Sequence, residues 1–415
     1  MNILLISNEL GYRGTPRFLV NCARIARQAG HNVVVWALET GGAAADECAD
    51  IDIPVYVGLH FIKAIENFKP TIVHIHRGGG VSLRENKILR QLKATCNCRV
   101  LETNVFGIAD LSPSSPIDVH AHISRWDLWR WRRWLFPLQR TGIYLPYCVD
   151  TDVFIPTCSN FRQKHNIPDK AFVIGRLGKT DWIKLSNAVV PAMKKSKNIY
   201  FVTVDDYSDD KTVISKWPDG IKQRVVNITA LKGAEELSAF YTACDVTMNF
   251  SPIGESFGYV VAEAMSCGTP CIAHSKPRND NAQIEIASPK FGGYPVRDSS
   301  DAEEIITKLA LNPPSETQKN LCRASIIERY SIKNFTPILL KAYRLLEENN
   351  KTEGDLEKLF IDNGFEAKIS NSEIMESLAN VFGGIPSFST RLAMKLAYSL
   401  PNALRLHWRA LRSFL

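Results

Sequence analysis

Two carboxylates, Glu255 and Glu263, stand eight positions apart in the stretch Ser251-Pro-Ile-Gly-Glu-Ser-Phe-Gly-Tyr-Val-Val-Ala-Glu-Ala-Met-Ser-Cys-Gly-Thr-Pro270. A glycine-bearing loop comes first and small or apolar residues at helical density follow. Gly268 then stands where a helix would stop. An eight-residue helical step covers about 12 Å, the span from a sugar ring across a diphosphate to a ribose. Glu255 falls near the expected helix start, where free N–H groups and the helix dipole favour an anion. The segment is suited to grip both ends of a nucleotide sugar and its charged middle.

A second group of candidates lies in Ile174-Gly-Arg-Leu-Gly-Lys-Thr-Asp-Trp-Ile-Lys184. A diphosphate leaving group needs cations or N–H dipoles to stabilise it. Arg176 offers a planar, bidentate grip on phosphate oxygens, and a lysine adds a point charge. Of Lys179 and Lys184, Lys184 is favoured because it shortly precedes a helix. His74 and His76 alternate on a strand that runs into Arg77-Gly-Gly-Gly80, so their side chains share a face. Packing, an acceptor-pocket role for His76, and metal ligation are three readings of that pair. The last lacks a neighbouring carboxylate or cysteine in sequence. The acidic run Val204-Asp-Asp-Tyr-Ser-Asp-Asp210 reads as a solvated loop rather than a metal site. Glu285, in the polar segment Arg278–Glu285, is a weaker nucleotide contact.

These residues must be held by alternating elements. Asn2–Ser7 is an apolar strand, Thr15–Ala29 an amphipathic helix ended by Gly30, and Asn32–Trp36 the next strand. Strand–helix–strand is the unit of a parallel sheet. It continues through strands at Val55–Val57, Thr71–His76, Arg99–Glu102 and Asp118–Ile123. Prolines at 146, 156 and 168 punctuate a crossing. A second alternating set follows, with strands at Phe172–Gly175, Ile199–Val204, Val225–Ile228, Val246–Phe250 and Cys271–Ala273, closed by a helix over Phe335–Glu347. The expected architecture is α/β: two Rossmann-like domains with parallel sheets facing across a cleft. The boundaries are 1–150, 151–345 and a C-terminal extension over 346–415. Residues 351–385 read as polar and irregular.

The 415 residues suit two domains, and 45% hydrophobic with 22% charged content suits a globular protein. A net charge of +7 falls short of a dedicated nucleic-acid binder and fits phosphorylated substrates or an anionic membrane surface. The ten cysteines form no paired Cys-x-x-Cys knuckles and read as free thiols in a reducing cytoplasm. No run of 18 apolar residues marks a transmembrane span.

Four segments resemble the retaining glycosyltransferases of glycosyltransferase family 4 (glycosyl transferases group 1), which have the GT-B fold. They are the Glu255–Glu263 block through Ala273, the joining segment Leu145-Pro-Tyr-Cys-Val-Asp-Thr-Asp-Val-Phe-Ile-Pro156, the Gly175–Lys184 loop, and the first glycine loop with the helix ending in Gly30-His31-Asn32-Val33. Together they cover roughly residues 1–345. The resemblance implies that Glu255 faces the transferred sugar and Glu263 the ribose. Arg176, Lys184 and the amides of Phe257 and Gly258 would hold the diphosphate, and Gly14 would admit the phosphates to the N-terminal backbone. It further implies retention by front-side attack, with no cofactor and no metal. Two departures stand out. Gly11-Tyr-Arg-Gly14 lacks the adjacent glycines common in the family, and Thr103-Asn104-Val105 has no histidine where many members carry one. Asn104 is the nearest polar substitute, so His76 and Asn104 are the acceptor-side candidates. The implied partners are a nucleotide-sugar donor and a glycan or lipid-linked acceptor, as in polysaccharide biosynthesis at the cell envelope, with no nucleic acid. A non-catalytic sugar-nucleotide-binding or scaffolding protein of the same fold is the alternative.

Two further stretches bear on location. Four Trp and four Arg interleave between Arg125 and Trp134 within segment 124–137. A packed surface helix, a membrane interface and base stacking all use that pattern. Near the C-terminus, Leu404, Trp408, Leu411 and Leu415 fall on one helical face, with Arg405, Arg409 and Arg412 alongside. The final 25 residues carry five Lys or Arg and no acid. The expectation is a cytoplasmic protein, peripheral at the inner face of the membrane.

Overall fold

A computed structural model describes residues 1–11, 13–80, 82–108, 114–132, 141–204, 212–231, 233–276, 280–348 and 353–365, with positions 376, 379 and 381. The chain forms two compact units. The first contains Met1–Cys148; the second begins at Val149, and the chain rejoins the first at Lys333.

The first unit has seven strands: β1 (Asn2–Glu9), β2 (Asn32–Thr40), β3 (Val55–Val57), β4 (Ile72–Gly79), β5 (Arg99–Ile108), β6 (Val119–His122) and β7 (Gly142–Tyr144). They form one parallel sheet in the order β3-β2-β1-β4-β5-β6-β7. The strands are apolar runs because helices cover both faces of a parallel sheet. Leu4, Ile6, Val34, Trp36, Val73, Ile75 and Val100 pack with Leu89 and Leu92 of the helix Leu83–Cys96 into one core. On the other face Phe18, from the helix Gly14–Gln28, meets the Phe335 ring at 5.4 Å. The helix Ile332–Glu347 therefore packs on the first unit, although sequence order suggests that it closes the second half. A further helix, Glu353–Asp362, occupies part of the stretch expected to be irregular. Leu356 and Phe360 lie on one face of it and are buried.

The Trp/Arg segment is corrected by burial. The helix Arg125–Arg132 is not a surface helix: Trp126, Trp129 and Trp131 are all buried, as are Asp127 and Arg130. Trp131 lies 4.8 Å from the His122 ring and 5.4 Å from His120. These tryptophans are covered by the protein and do not face a membrane or a base. Trp134 and the basic C-terminal stretch 386–415 lie outside the described residues, as does the acidic run 205–210.

The second unit contributes β8 (Phe172–Leu177), β9 (Ile199–Val204), β10 (Val225–Ile228), β11 (Val246–Asn249), β12 (Gly254–Glu255), β13 (Cys271–His274), β14 (Asp280–Asn281) and β15 (Tyr294–Val296). Six of them form a parallel sheet in the order β10-β9-β8-β11-β13-β15, and β12 joins β14 in a two-stranded ladder. The core gathers Ile174, Leu185, Val189, Phe201, Met248, Phe250 and Ile272. Among the described residues no helix is long and apolar enough to cross a membrane.

Candidate functional site

In an open parallel sheet, ligands bind beyond the carboxyl ends of the strands where the winding reverses. In the second unit that point lies between β8 and β11, which pair with Met248 opposite Arg176. The sequence places its candidates there. Arg176 is one residue from the end of β8 and Glu255 follows on β12, while Asn249, which sequence reasoning did not single out, ends β11.

Arg176 is almost fully enclosed. Its Nη1 donates to Thr203 Oγ1 at 3.1 Å, its Nη2 to the Gly178 carbonyl, and its guanidinium lies 4.7 Å from the Trp182 ring. The charge is fixed in place by these partners. Lys184 sits in the first turn of the helix Trp182–Lys195, with Nζ 2.8 Å from Asp181 Oδ2. Asp181 also caps that helix by accepting from the Lys184 amide at 3.2 Å. Sequence reasoning did not anticipate that Lys184 carries its own counter-ion.

Glu255 is partly buried. Asn249 Nδ2 donates to Oε1 at 3.0 Å, and the Glu255 amide donates to Gln283 Oε1 at 3.2 Å. Burial pushes its carboxyl up from the ordinary value. The Asn249 hydrogen bond opposes that shift and the nearby Asp280 charge adds to it. Glu263, on the helix Tyr259–Ser266, is buried and accepts from Tyr241 Oη at 3.0 Å. Phe257 is buried against Tyr330, ring centroids 5.3 Å apart. Gly258 precedes the helix at φ 94°, and a Cβ there would press on the Glu255 side chain at 3.3 Å. Glu285 lies on the short helix Ala282–Ile286, whose Gln283 holds the Glu255 amide.

The remaining candidates lie in the first unit. Gly14 opens the helix Gly14–Gln28. His76 is fully buried, 4.1 Å from His74 and 5.6 Å from Phe18 between ring centroids. Burial, and then His74, push its pKa well below the ordinary value, so it is neutral. His74 is bound on both sides, by Tyr343 Oη at 2.8 Å and Thr103 Oγ1 at 2.7 Å. Cys22 reaches the pair from the facing helix, and the three residues bring potential ligand atoms within 4.8 Å of one another. That cysteine left no signal beside the histidines because it is 52 positions away from His74. Asn104 is buried and closes its own loop, donating to the Ile108 carbonyl at 2.7 Å and accepting from the Ile108 amide at 3.1 Å.

Sequence reasoning missed a buried charge network beside Asn104. Arg77 Nε donates to Glu102 Oε1 at 2.6 Å, and Nη1 to Glu85 Oε2 at 2.9 Å. Glu102 Oε2 meets His120 Nδ1 at 2.5 Å, and Asn8 Nδ2 donates to Glu85 at 2.8 Å. Burial works to raise the Glu102 carboxyl. The Arg77 guanidinium, with His120, outweighs burial and holds it down at about 2.

Residues 159–324 match the family described as glycosyl transferases group 1. The chain is 27% identical over 214 residues to D-inositol 3-phosphate glycosyltransferase from Stackebrandtia nassauensis, an alignment covering 48% of this chain and 47% of that one. The chain thus matches about half the length of this curated relative. Among solved structures, a glycosyltransferase from Rickettsia africae superposes with TM-score 0.67 at 14% identity, over 84% of this chain and 99% of that one. The Anabaena protein HepE, in complex with UDP-glucose, gives 0.65 at 15%, over 83% and 99%. Sucrose-phosphate synthase from Thermosynechococcus elongatus gives 0.64 at 17%, over 83% and 98%. These likenesses identify the fold as GT-B.

Proposed function

Starting from the match of residues 159–324 to the glycosyl transferases group 1 family, we propose that the protein is a glycosyltransferase moving a sugar from a nucleotide-sugar donor to a hydroxyl of a glycan or lipid-linked acceptor, with retention. One observation carries this reading. Asn249 and Glu255 meet at 3.0 Å beyond the end of β11, whose Met248 pairs with Arg176 of β8 at the winding reversal of the second sheet, ahead of the helix bearing Glu263.

Each group has a role in that reaction. Arg176, pinned by Thr203 and Gly178 and almost fully enclosed, would act on the departing diphosphate through the field of its fixed charge, and Lys184, paired with Asp181, would add a second cation. Preorganised charges of this kind cost no rearrangement as the leaving group develops its negative charge. The amides of Phe257 and Gly258 precede a helix start, where the helix dipole favours phosphate oxygens. Glu255, restrained by Asn249, orients the transferred sugar, and Glu263 meets the ribose. The bond from the anomeric carbon to the phosphate oxygen breaks while the acceptor oxygen attacks from the same face. The released phosphate oxygen takes the acceptor proton, so no protein nucleophile is invoked.

UDP-glucose on HepE supports a nucleotide sugar as the donor class. The acceptor-side candidates are His76 and Asn104 of the first unit, and Gly14 is a donor-side one. Peripheral contact with a cytoplasmic membrane face would rest on the basic, apolar stretch 386–415. The test is a thermal-shift panel of UDP-, GDP-, ADP- and dTDP-sugars. Product analysis then follows, using the stabilising donor and candidate acceptors. One donor should stabilise the protein, and Glu255→Ala should abolish turnover while the fold persists. Full activity in that variant would remove the assignment.

A further inference from the structure

We propose that Cys22, His74 and His76 hold a Cu+ ion in a buried structural site. All three belong to the first unit, so the site does not depend on the donor reading above. No step of the transfer reaction is routed through the ion, and His76 takes a ligand role here in place of an acceptor-side one.

His74 and His76 sit two residues apart on β4, so the strand turns both side chains to one face. Their ring centroids are 4.1 Å apart. Cys22 reaches them from the buried side of the helix Gly14–Gln28. One donor atom from each residue lies within 4.8 Å of the others, and among the described residues no second group of three His, Cys, Asp or Glu comes as close. Zinc bonds to the same donor types are about 2.0–2.3 Å long. At such lengths three donors around one ion stand about 3.5–3.8 Å apart, so the group must close by little more than about 1 Å. Small side-chain rotations supply that.

His76 supplies the independent sign of a ligand. It is 1% exposed, and neither ring nitrogen has a hydrogen-bond partner among the described residues. A neutral imidazole brings one N–H and one lone pair, and burying them unpartnered is costly. A metal bond uses the lone pair. His74 is held at both nitrogens, by Tyr343 Oη at 2.8 Å and Thr103 Oγ1 at 2.7 Å. Giving up one of these for the ion leaves the other to fix the ring and its tautomer, as the free nitrogen of a ligating histidine usually is fixed.

Charge selects the ion. The surroundings are aromatic: Phe18 meets the His76 ring at 5.6 Å, stacks on Tyr147 at 4.3 Å and touches Phe335 at 5.4 Å. The titratable groups that bear on Cys22 and His76 are Cys148 and His74, with no carboxylate or cationic side chain among them. A thiolate with two neutral imidazoles carries one negative charge. A monovalent ion leaves the site neutral, whereas a divalent one leaves a positive charge buried without a counter-ion. Cu+ takes thiolate and imidazole donors and forms stable three-coordinate complexes. The Cys22 thiol proton passes to solvent as the sulfur–copper bond forms.

The experiment is an anaerobic titration of the full chain with Cu+ against a chromogenic Cu+ chelator, with Zn2+ titrated in parallel. It uses wild type, Cys22→Ala, His76→Gln and Cys158→Ser, the last removing an exposed thiol. X-ray absorption on copper-loaded wild type reads the donor set directly, so a variant that fails to fold does not decide the outcome. The expected result is a single equivalent of Cu+ with one sulfur and two imidazole nitrogens around it. Binding should weaken at least about a hundredfold in Cys22→Ala and about tenfold in His76→Gln, and be unchanged in Cys158→Ser. Uptake should be slow, because all three donors are buried. Wild type that leaves Cu+ with the chelator after overnight incubation, or a copper shell of sulfur alone, would overturn the inference. Zn2+ bound more tightly than Cu+, with the same dependence on Cys22, would overturn the choice of a monovalent ion.

Discussion

Asn249 Nδ2 donates to Glu255 Oε1 at 3.0 Å, so the last residue of β11 aims the carboxylate that follows it six positions later. A hydrogen bond to the ionised form favours ionisation. It counters the upward push that burial and Asp280 exert on Glu255. Replacing Asn249 with Leu removes the counterweight. In that variant Glu255 should stay protonated to higher pH, and the acid limb of the activity profile should move up. Glu255→Gln, which keeps the shape and loses the charge, should lower kcat by at least about a hundredfold. An Asn249→Leu enzyme with an unmoved acid limb would show that this bond does not tune the site.

Gly254 holds β12 against β14. It sits at φ 79°, and a Cβ there would meet the Asp280 carbonyl oxygen at 1.8 Å, far inside contact distance. Gly254→Ala must therefore strain the backbone and part the ladder that carries Glu255. The expected cost is about 2 kcal/mol or more of stability, read by urea denaturation, with donor affinity lost in parallel. Gly220→Ala serves as the control: an added Cβ there would meet no atom within 4 Å, and stability should change little.

Tyr241 Oη donates to Glu263 Oε2 at 3.0 Å inside the second unit. Tyr241→Phe removes that donor and leaves a buried carboxylate oxygen less well satisfied. A loss of about 1–3 kcal/mol is expected, together with a raised donor KM and a kcat close to wild type, if Glu263 has the ribose-end role proposed for it rather than one at the reacting centre. A fall in kcat at constant KM would place Glu263 at the chemistry instead.

Much of this was legible in the sequence because the signals are local. Strand-length apolar runs mark a parallel sheet. The segment Gly254–Gly268 holds its glycines, carboxylates and helix within one continuous stretch, so its layout could be read directly. What could not be read depends on register between distant strands. Glu102 and His120 face each other because β5 and β6 pair in register, 18 residues apart, and no spacing rule supplies that number. Cys22 meets His74 and His76 through packing of a helix on a sheet. The Trp/Arg stretch misled for a related reason. Composition shows that aromatic and basic groups alternate, but not that Trp131 fills the space against His120, His122 and Gly142. The Glu353–Asp362 helix did leave a signal, Leu356 and Phe360 at i and i+4, inside an otherwise polar stretch.

The Arg77 network makes the stability of the first unit depend on acid. Arg77 and Glu102 are both buried, joined at 2.6 Å, with Glu85 on the same guanidinium. Removing one member of a buried ion pair strands the other charge, so Arg77→Met should cost about 3–5 kcal/mol. Glu102 is the group whose titration matters in the acid range. Its folded value is about 2 against an ordinary 4.5, so the folded state binds fewer protons than the unfolded chain between those limits. Its contribution is whole above about pH 4.5 and is lost as pH falls toward 2. Glu102→Gln removes the titrating group, leaving the amide to hydrogen-bond where the carboxylate did. That variant should be less stable than wild type at pH 7, and its stability should fall less steeply between pH 4.5 and 2, measured by urea midpoints at each pH. Parallel curves for the two proteins across that window would show that Glu102 does not carry the acid sensitivity.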